Sequence, residues 1–299
     1  MTNSDILFIY DAQLCNPNGD PDEENRPRMD YPTQTNLVSD VRLKRYIRDY
    51  FQDKGEQLYI QKGDNGEVFT AAQRIQTIIK QSKVEKFSSE EIKKILDTLI
   101  DIRMFGATIP SKGQSLAFTG PVQFNWGFSL NKAYLLETQT ITSHLGAKEG
   151  GEQGTMGKDY RIKYSLIAFS GIISGFNAKH TQLSENDINN LDVATIKSIP
   201  LHATRSKIGQ EPRLYIRAEY TTNDFILGDF RKWIRLQNNN SKKDDEIFSA
   251  KDVTLDISAL IQKLNENSQK INKIVFWKSD ALQIQGSEND IKKISILNL

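Results

Sequence analysis

Ile6-Leu7-Phe8-Ile9-Tyr10 is an unbroken apolar, β-prone run and predicts a buried strand. A different period follows. Leu43, Tyr46, Ile47 and Tyr50 recur at i, i+3, i+4 and i+7, one face of a helix that Asn36 or Ser39 can cap and Asp40 opens. Between them, Cys15–Gln34 holds Pro17, Pro21, Pro27 and Gly19 among Asn and Asp, which predicts an irregular loop. Gln57–Gln61 reads as a weak strand, with Gly63–Gly66 as a turn and Val68-Phe69 pairing back. Ala71–Gln81 is helical. Ser88 and Glu91 stand at capping-box spacing before a helix with Ile92, Ile95, Leu96, Leu99 and Ile100 on its apolar face, ending at Gly106. Val122, Phe124, Trp126 and Phe128 alternate as one strand.

Residues 160–169 and 213–217 are further strands, and Ser184 caps a helix reaching about Ser206. Ile257, Leu260, Ile261 and Leu264 give a short amphipathic helix, and Ile274–Trp277 a final strand. The sum is β-α-β-β-α-β, the ferredoxin-like or RRM-like order of an α+β fold. Two segments interrupt it: a helical insertion over 55–100 and an arm over 137–160. Five glycines between 146 and 157 keep that arm from burying much surface. Residues 1–299 are expected to be one elaborated domain.

Composition changes this picture little. The chain is 38% hydrophobic and 26% charged, ordinary for a soluble domain. A net charge of +1 weighs against an overall basic nucleic-acid binder but leaves room for a local basic patch. Cys15 is the only cysteine, so no intramolecular disulfide forms, and it is expected to be buried rather than reactive. No basic leader and no apolar run of membrane length are present, so a cytoplasmic protein is expected.

Candidate chemistry concentrates near the N-terminus. Lys44, Arg45 and Arg48 share the helix face opposite Leu43, with Asp40 and Asp49 at its edges, a cation ridge suited to phosphates. Two enzymatic readings are weaker. Gly157-Lys158 lacks the leading glycine and the following hydroxyl of a P-loop. A metal-dependent endoribonuclease using Asp11 or Asp30 is the alternative, although Asp20, Asp22, Glu23 and Glu24 follow no ligand spacing and Asp30 sits where Arg28 can pair with it. His144, His180 and His202 show no metal spacing. RNA binding uses more features at once, with Asn16, Asn18, Ser39 and Gln123 as polar groups and Phe105 and Met156 as apolar ones. No RRM aromatic signature lies on a strand, so binding by sheet stacking is not expected. A protein-only scaffold acting through 55–100 and the arm is the third reading.

Asn16-Pro17-Asn18-Gly19-Asp20-Pro21-Asp22, then Arg28, Asp30, Leu37–Val41, Leu43-Lys44-Arg45 and Ile47-Arg48-Asp49, resembles the backbone subunit of type I CRISPR Cascade complexes, closest to the I-B and I-C branch, in the RAMP superfamily. Asp101–Ala107, Gly120–Gln123, Thr155–Lys158, His202–Ser206 and Leu214–Ile216 extend the likeness over most of 5–220. The resemblance implies an RRM-like palm, helical fingers at 55–100 and a β-hairpin thumb at 137–160. It implies a non-catalytic subunit, without metal or cofactor, stacking head to tail along the guide crRNA spacer. Its partners would be the crRNA, the paired target DNA strand and other Cascade subunits, with no membrane. On matching positions it implies RNA contacts from Ser39, Lys44, Arg45 and Arg48 on the palm helix and from Asn16, Asn18 and Arg28 in the loop. Phe105, Gly106 and Gln123 would lie near the kink, and Thr155, Met156 and Lys158 at the thumb's end, Met156 as a wedge at a flipped base. Thr33–Asn36 departs from the family's glycine-rich passage.

Overall fold

The computed structural model describes residues 1–61, 63, 69–79, 87–111, 115–136, 140–142 and 156–299. In chain order it begins with β1 (Ser4–Cys15), β2 (Gly19–Asp20), β3 (Arg26–Pro27), β4 (Met29–Asp30), β5 (Thr35–Val38) and α1 (Asp40–Asp53). The insertion holds α2 (Ala71–Ile79), α3 (Ser89–Thr98) and α4 (Ile100–Phe105). Next come β6 (Gly106–Ile109), β7 (Leu116–Thr119), β8 (Val122–Phe124), β9 (Gly127–Ser129), β10 (Thr140–Thr142) and β11 (Met156–Lys158). Then follow β12 (Ile162–Ile173), α5 (Gly175–Thr181), α6 (Glu185–Leu201) and β13 (Gln210–Tyr220). The last part has β14 (Arg235–Asn238), β15 (Val253–Asp256), α7 (Ser258–Glu266), β16 (Ile271–Lys278), β17 (Gln283–Gln285) and β18 (Ile294–Ile296).

The fold is mixed α/β around one large sheet, ordered β18-β16-β13-β1-β12-β9-β5-β4, with β8 also paired to β12. β1 lies in its middle, antiparallel to both neighbours; Phe8 stands opposite Phe169 on one side and Tyr215 on the other. Period two divides β1 between two cores. Ile6, Phe8, Tyr10 and Ala12 pack with Leu43, Tyr46 and Ile47 of α1 and with Leu191 and Ala194 of α6. Leu7 and Ile9 face the other way, against Phe230, Leu255, Leu260 and Leu264. Burial on both faces is why the strand reads as a continuous apolar run. A third cluster, with Ile75, Ile79, Ile95, Leu96, Leu99 and Ile102, joins α2, α3 and α4.

Several expectations are corrected. Gln57–Gln61 is not a strand: the Tyr59 and Ile60 amides donate to the Asp101 carboxylate instead of to a ladder. The helix opened by Ser88 does have its capping box but breaks at Leu99, whose φ −106° and ψ 95° are extended, and resumes as α4. The motif loop contains the short β2–β3 pair. α6 stops at Leu201, not Ser206: it runs through Pro200, His202 caps it by donating to the Ser198 carbonyl, and the backbone beyond pairs elsewhere. Asn16 donates to the Ser206 carbonyl and Gln13 to that of Gly209. Strands β17 and β18 follow the one expected to be last. The turn at 63–66, the pairing of Val68 and the glycine-rich part of the arm lie mostly outside the described residues. Among the described residues, no helix is long and apolar enough to cross a membrane.

The 122–128 segment also departs from one strand. β8 and β9 both pair with β12 but are separated at Asn125-Trp126. Asn125 Oδ1 accepts from the Trp126 amide, and Trp126 turns outward at 42% exposure. Gly127 takes the inward place. A Cβ there would come within 2.4 Å of the Phe169 ring, so only glycine fits.

Candidate nucleic-acid interface

The motif loop is bonded onto the start of α1. Ser39 is the N-cap, its Oγ accepting from the Arg42 amide. Ser39 in turn donates from its amide (2.9 Å) and its hydroxyl (3.0 Å) to Asn18 Oδ1. Asn16 is buried, donating from Nδ2 to the Asn25 carbonyl at 2.7 Å, while its Oδ1 has no partner among the described residues. Arg28 pairs with Asp20 at 2.8 Å, not with Asp30, and lies over the Trp126 ring. Asp30 accepts from Thr33 Oγ1 instead.

The α1 cations are close together but not free. Asp40 and Asp49, expected only at the edges of the ridge, pair with its cations, and Asp101 joins them. Lys44 donates to Asp40 and to Gln123 Oε1, each at 3.0 Å. Arg45 pairs with Asp49 at 2.5 Å. Arg48 pairs with Asp101 at 3.1 Å, and both are buried. Asp101 comes from α4, and the Tyr59 and Ile60 amides fill its other lone pairs. The Phe105 ring, only 7% exposed, lies under Arg48 at 4.9 Å and Lys44 at 5.8 Å.

Two glycines bring the second strand pair against this helix. Gly106 has φ +74° and ends α4. A Cβ on Gly120 would fall 2.0 Å from the Phe105 carbonyl carbon. That approach lets Gln123 donate to the Gly120 carbonyl at 2.9 Å while accepting from Lys44. Phe105, Gly106, Gln123, Lys44 and Arg48 therefore form one ledge beside Ser39 and Asn18.

Lys158 lies at the base of the arm and belongs to a second cluster. Its ammonium meets both Glu24 oxygens at 2.8 and 2.9 Å, and Tyr160 donates to Glu24 at 2.6 Å. These bonds, Lys158's first, lower the Glu24 carboxyl below its usual range. Arg26 stacks on Tyr160 at 4.7 Å. Thr155 and the Met156 side chain lie outside the described residues.

The acids of the nuclease alternative do not converge. Asp11 is buried and held by Arg213 at 2.8 Å and Tyr164 at 3.2 Å. Burial raises its carboxyl above the usual range. Among the described residues, no group of three His, Cys, Asp or Glu could hold a metal. Cys15 is buried, its thiol pushed up to about 12 by desolvation.

Sequence reasoning passed over two cations. Arg42 lies 3.9 Å over the Tyr46 ring, its buried Nε without a partner among the described residues. Lys207 donates to the Asn16 carbonyl at 2.5 Å. Arg42 sits between the two helix faces and so joined neither, while Lys207 directly follows the family-like stretch His202–Ser206.

Residues 2–258 match the family CRISPR-associated protein Cas7. The chain belongs to the Cas7 family. A curated CRISPR-associated protein Cas7 of Haloferax volcanii is 34% identical over 296 residues, covering 92% of this chain and 86% of the relative. Among solved structures, a chain of a CRISPR RNA-guided surveillance complex in a pre-nicking state matches with TM-score 0.56 at 13% identity, over 96% of both chains. A second such complex matches with TM-score 0.51 at 12% identity, over 96% of this chain and 95% of that one. These two likenesses are of fold, and they make the mixed α/β architecture a Cas7-like one. The Cas7 family is the one to which the motif loop and α1 pointed.

Proposed function

We propose that this Cas7-family chain is a non-catalytic guide-RNA-binding backbone subunit, several copies of which line a CRISPR RNA and hold it for pairing with a target DNA strand. The observation that carries this reading is the ledge of α1. The motif loop, the helix cap and the Gly106–Gly120 crossing are hydrogen-bonded into one surface, and they lie within residues 2–258, which match the Cas7 family. The run β1-α1-β8/β9-β12-α6-β13, with sheet order β13-β1-β12-β8, supports a ferredoxin-like palm. On this reading 1–299 is one elaborated domain, residues 55–100 are its fingers, and β10 with β11 forms the base of a thumb. Other subunits of such a complex are its partners. A binder that serves any guide sequence must grip phosphate and ribose and leave base edges free, which suits cations and amides better than sheet aromatics.

Lys44→Gln is the test. It removes a largely buried charge without stranding a fully buried carboxylate, because the Asp40 side chain keeps 22% exposure. Affinity for single-stranded RNA of any sequence is expected to fall, and the slope of log K against log salt to shrink by about 0.7 for each phosphate no longer neutralised. Unchanged affinity and slope would remove Lys44 from the interface.

A further inference from the structure

Every cation on α1 that the sequence singled out has a carboxylate partner: Lys44 with Asp40, Arg45 with Asp49, Arg48 with Asp101. Two neighbouring cations have none among the described residues. Arg42, in the first turn of α1, makes no ion pair, and its guanidinium lies flat on Tyr46. Lys207, between α6 and β13, makes one hydrogen bond, to the carbonyl of Asn16. Adjacent bonds tie the two positions together. Gln210 donates to the Tyr46 hydroxyl at 3.1 Å and to the Lys207 carbonyl at 2.9 Å, and Tyr46 carries Arg42. Asn16 opens the motif loop, whose Asn18 caps the same helix through Ser39.

Two half-buried positive charges close enough to repel, without a counter-ion among the described residues, oppose folding, since each is partly desolvated. Burial, and then the nearby Arg42, lowers Lys207 to about 8. Such a pair is stabilised by an anion that bridges both. It sits at the junction of motif loop and helix, beside the ledge and not on it.

We propose that Arg42 and Lys207 form a phosphodiester-binding subsite that grips the guide backbone where it passes the motif loop. The inference rests on the RNA-binding reading and adds two residues to it. Lys207 also positions Asn16, so a simple loss of binding on truncation would not separate gripping from scaffolding. Proton linkage does. An RNA phosphate between the two cations holds Lys207 charged. In the free protein Lys207 loses its proton as pH rises through about 8. Above that pH, binding must take up a proton, so affinity falls; below it, affinity is flat. Arg42 and Cys15 on β1 are the charged or titratable groups that act on Lys207, and the Cys15 thiol, pushed up to about 12 by burial, does not titrate in this window.

The experiment is fluorescence anisotropy of the full chain with a labelled single-stranded RNA of arbitrary sequence, from about pH 7 to about pH 9 at fixed salt. For the native chain, affinity per bound copy is expected to drop roughly tenfold across that range. Lys207→Arg keeps its charge and should bind with a flat profile. Arg42→Gln relieves the repulsion and should move the inflection to higher pH, which keeps the test valid if Lys207 variants fold poorly. A native profile that is flat, or one that Lys207→Arg and Arg42→Gln leave unchanged, overturns the subsite while leaving RNA binding intact. No RNA binding by the native chain at low salt overturns the wider reading as well.

Discussion

Arg45 and Arg217 show how differently one residue type is used. Arg217 is almost fully buried, and both ends of its guanidinium meet Asp192 at 2.8 Å, with Tyr215 donating to the same carboxylate at 2.6 Å. Arg45 and Asp49 lie on the surface turn of α1. Asp192→Ala leaves a buried guanidinium without its counter-ion and is expected to cost about 3–5 kcal/mol. Arg45→Gln should stay within about 0.5 kcal/mol. Urea denaturation midpoints check both, and equal midpoints for the two variants would contradict the assignment. The cap at Ser39 and the buried Leu43–Tyr50 face were legible because they depend on near neighbours. The i, i+4 spacing of Asp40 with Lys44 and of Arg45 with Asp49 is also local, and it already contained two of the pairs that neutralise the ridge. Asp101 reaching Arg48 was not legible, because 53 residues separate them.

Strand and helix interruptions dominate at the scale of elements. The alternation of Val122, Phe124, Trp126 and Phe128 predicts a single strand, yet the chain steps out of register at Asn125-Trp126. A change of one residue in strand phase exchanges inward and outward faces, which puts Trp126 outside and Gly127 against Phe169. Apolar pattern alone does not reveal this, because both tryptophan and glycine fit either side of a sheet. The close crossing of Gly120 on Phe105 is equally silent in sequence. Gly120→Ala is expected to lose about 1–3 kcal/mol through the forced backbone shift. Gly157→Ala, where the nearest atom to an added Cβ is Ile141 Cγ1 at 3.5 Å, should be nearly neutral. Thermal melts of the two variants compare them directly; a Gly120→Ala chain as stable as Gly157→Ala would show that the crossing is loose.

At the scale of the whole molecule, the sheet carries a core on each face. α1 and α6 cover one face, and residues 230–291 cover the other with Phe230, Val253, Leu255, Leu260 and Leu282. The second cover, the chain's own tail, leaves Leu7, Ile9, Leu214 and Ile216 of the strands buried beneath it. The mixed α/β character, with β1, α1, β12, α6 and β13 in that order, was legible from its long periodic segments. In the tail only α7 and β16 were legible, since the short strands β14, β15 and β17 pair across gaps and include a parallel pair, β15 with β17. The ledge was legible as a set of residues through the family likeness, but its wiring to Asp101 and Gln123, and the cations at Arg42 and Lys207, needed the folded chain. Near-zero net charge suits the proposed assembly, since strongly basic copies packed side by side would repel one another.

The central claim is that copies of this chain assemble along RNA without cutting it, and nuclease protection tests it most directly. The purified protein is mixed with a long single-stranded RNA of arbitrary sequence, lightly digested, and the protected fragments are sized. Fragments lengthening in equal steps, the same for unrelated sequences, with intact RNA in the control lacking nuclease, are the expected result. Fragments of one size set by sequence, or cutting by the protein alone, would contradict it.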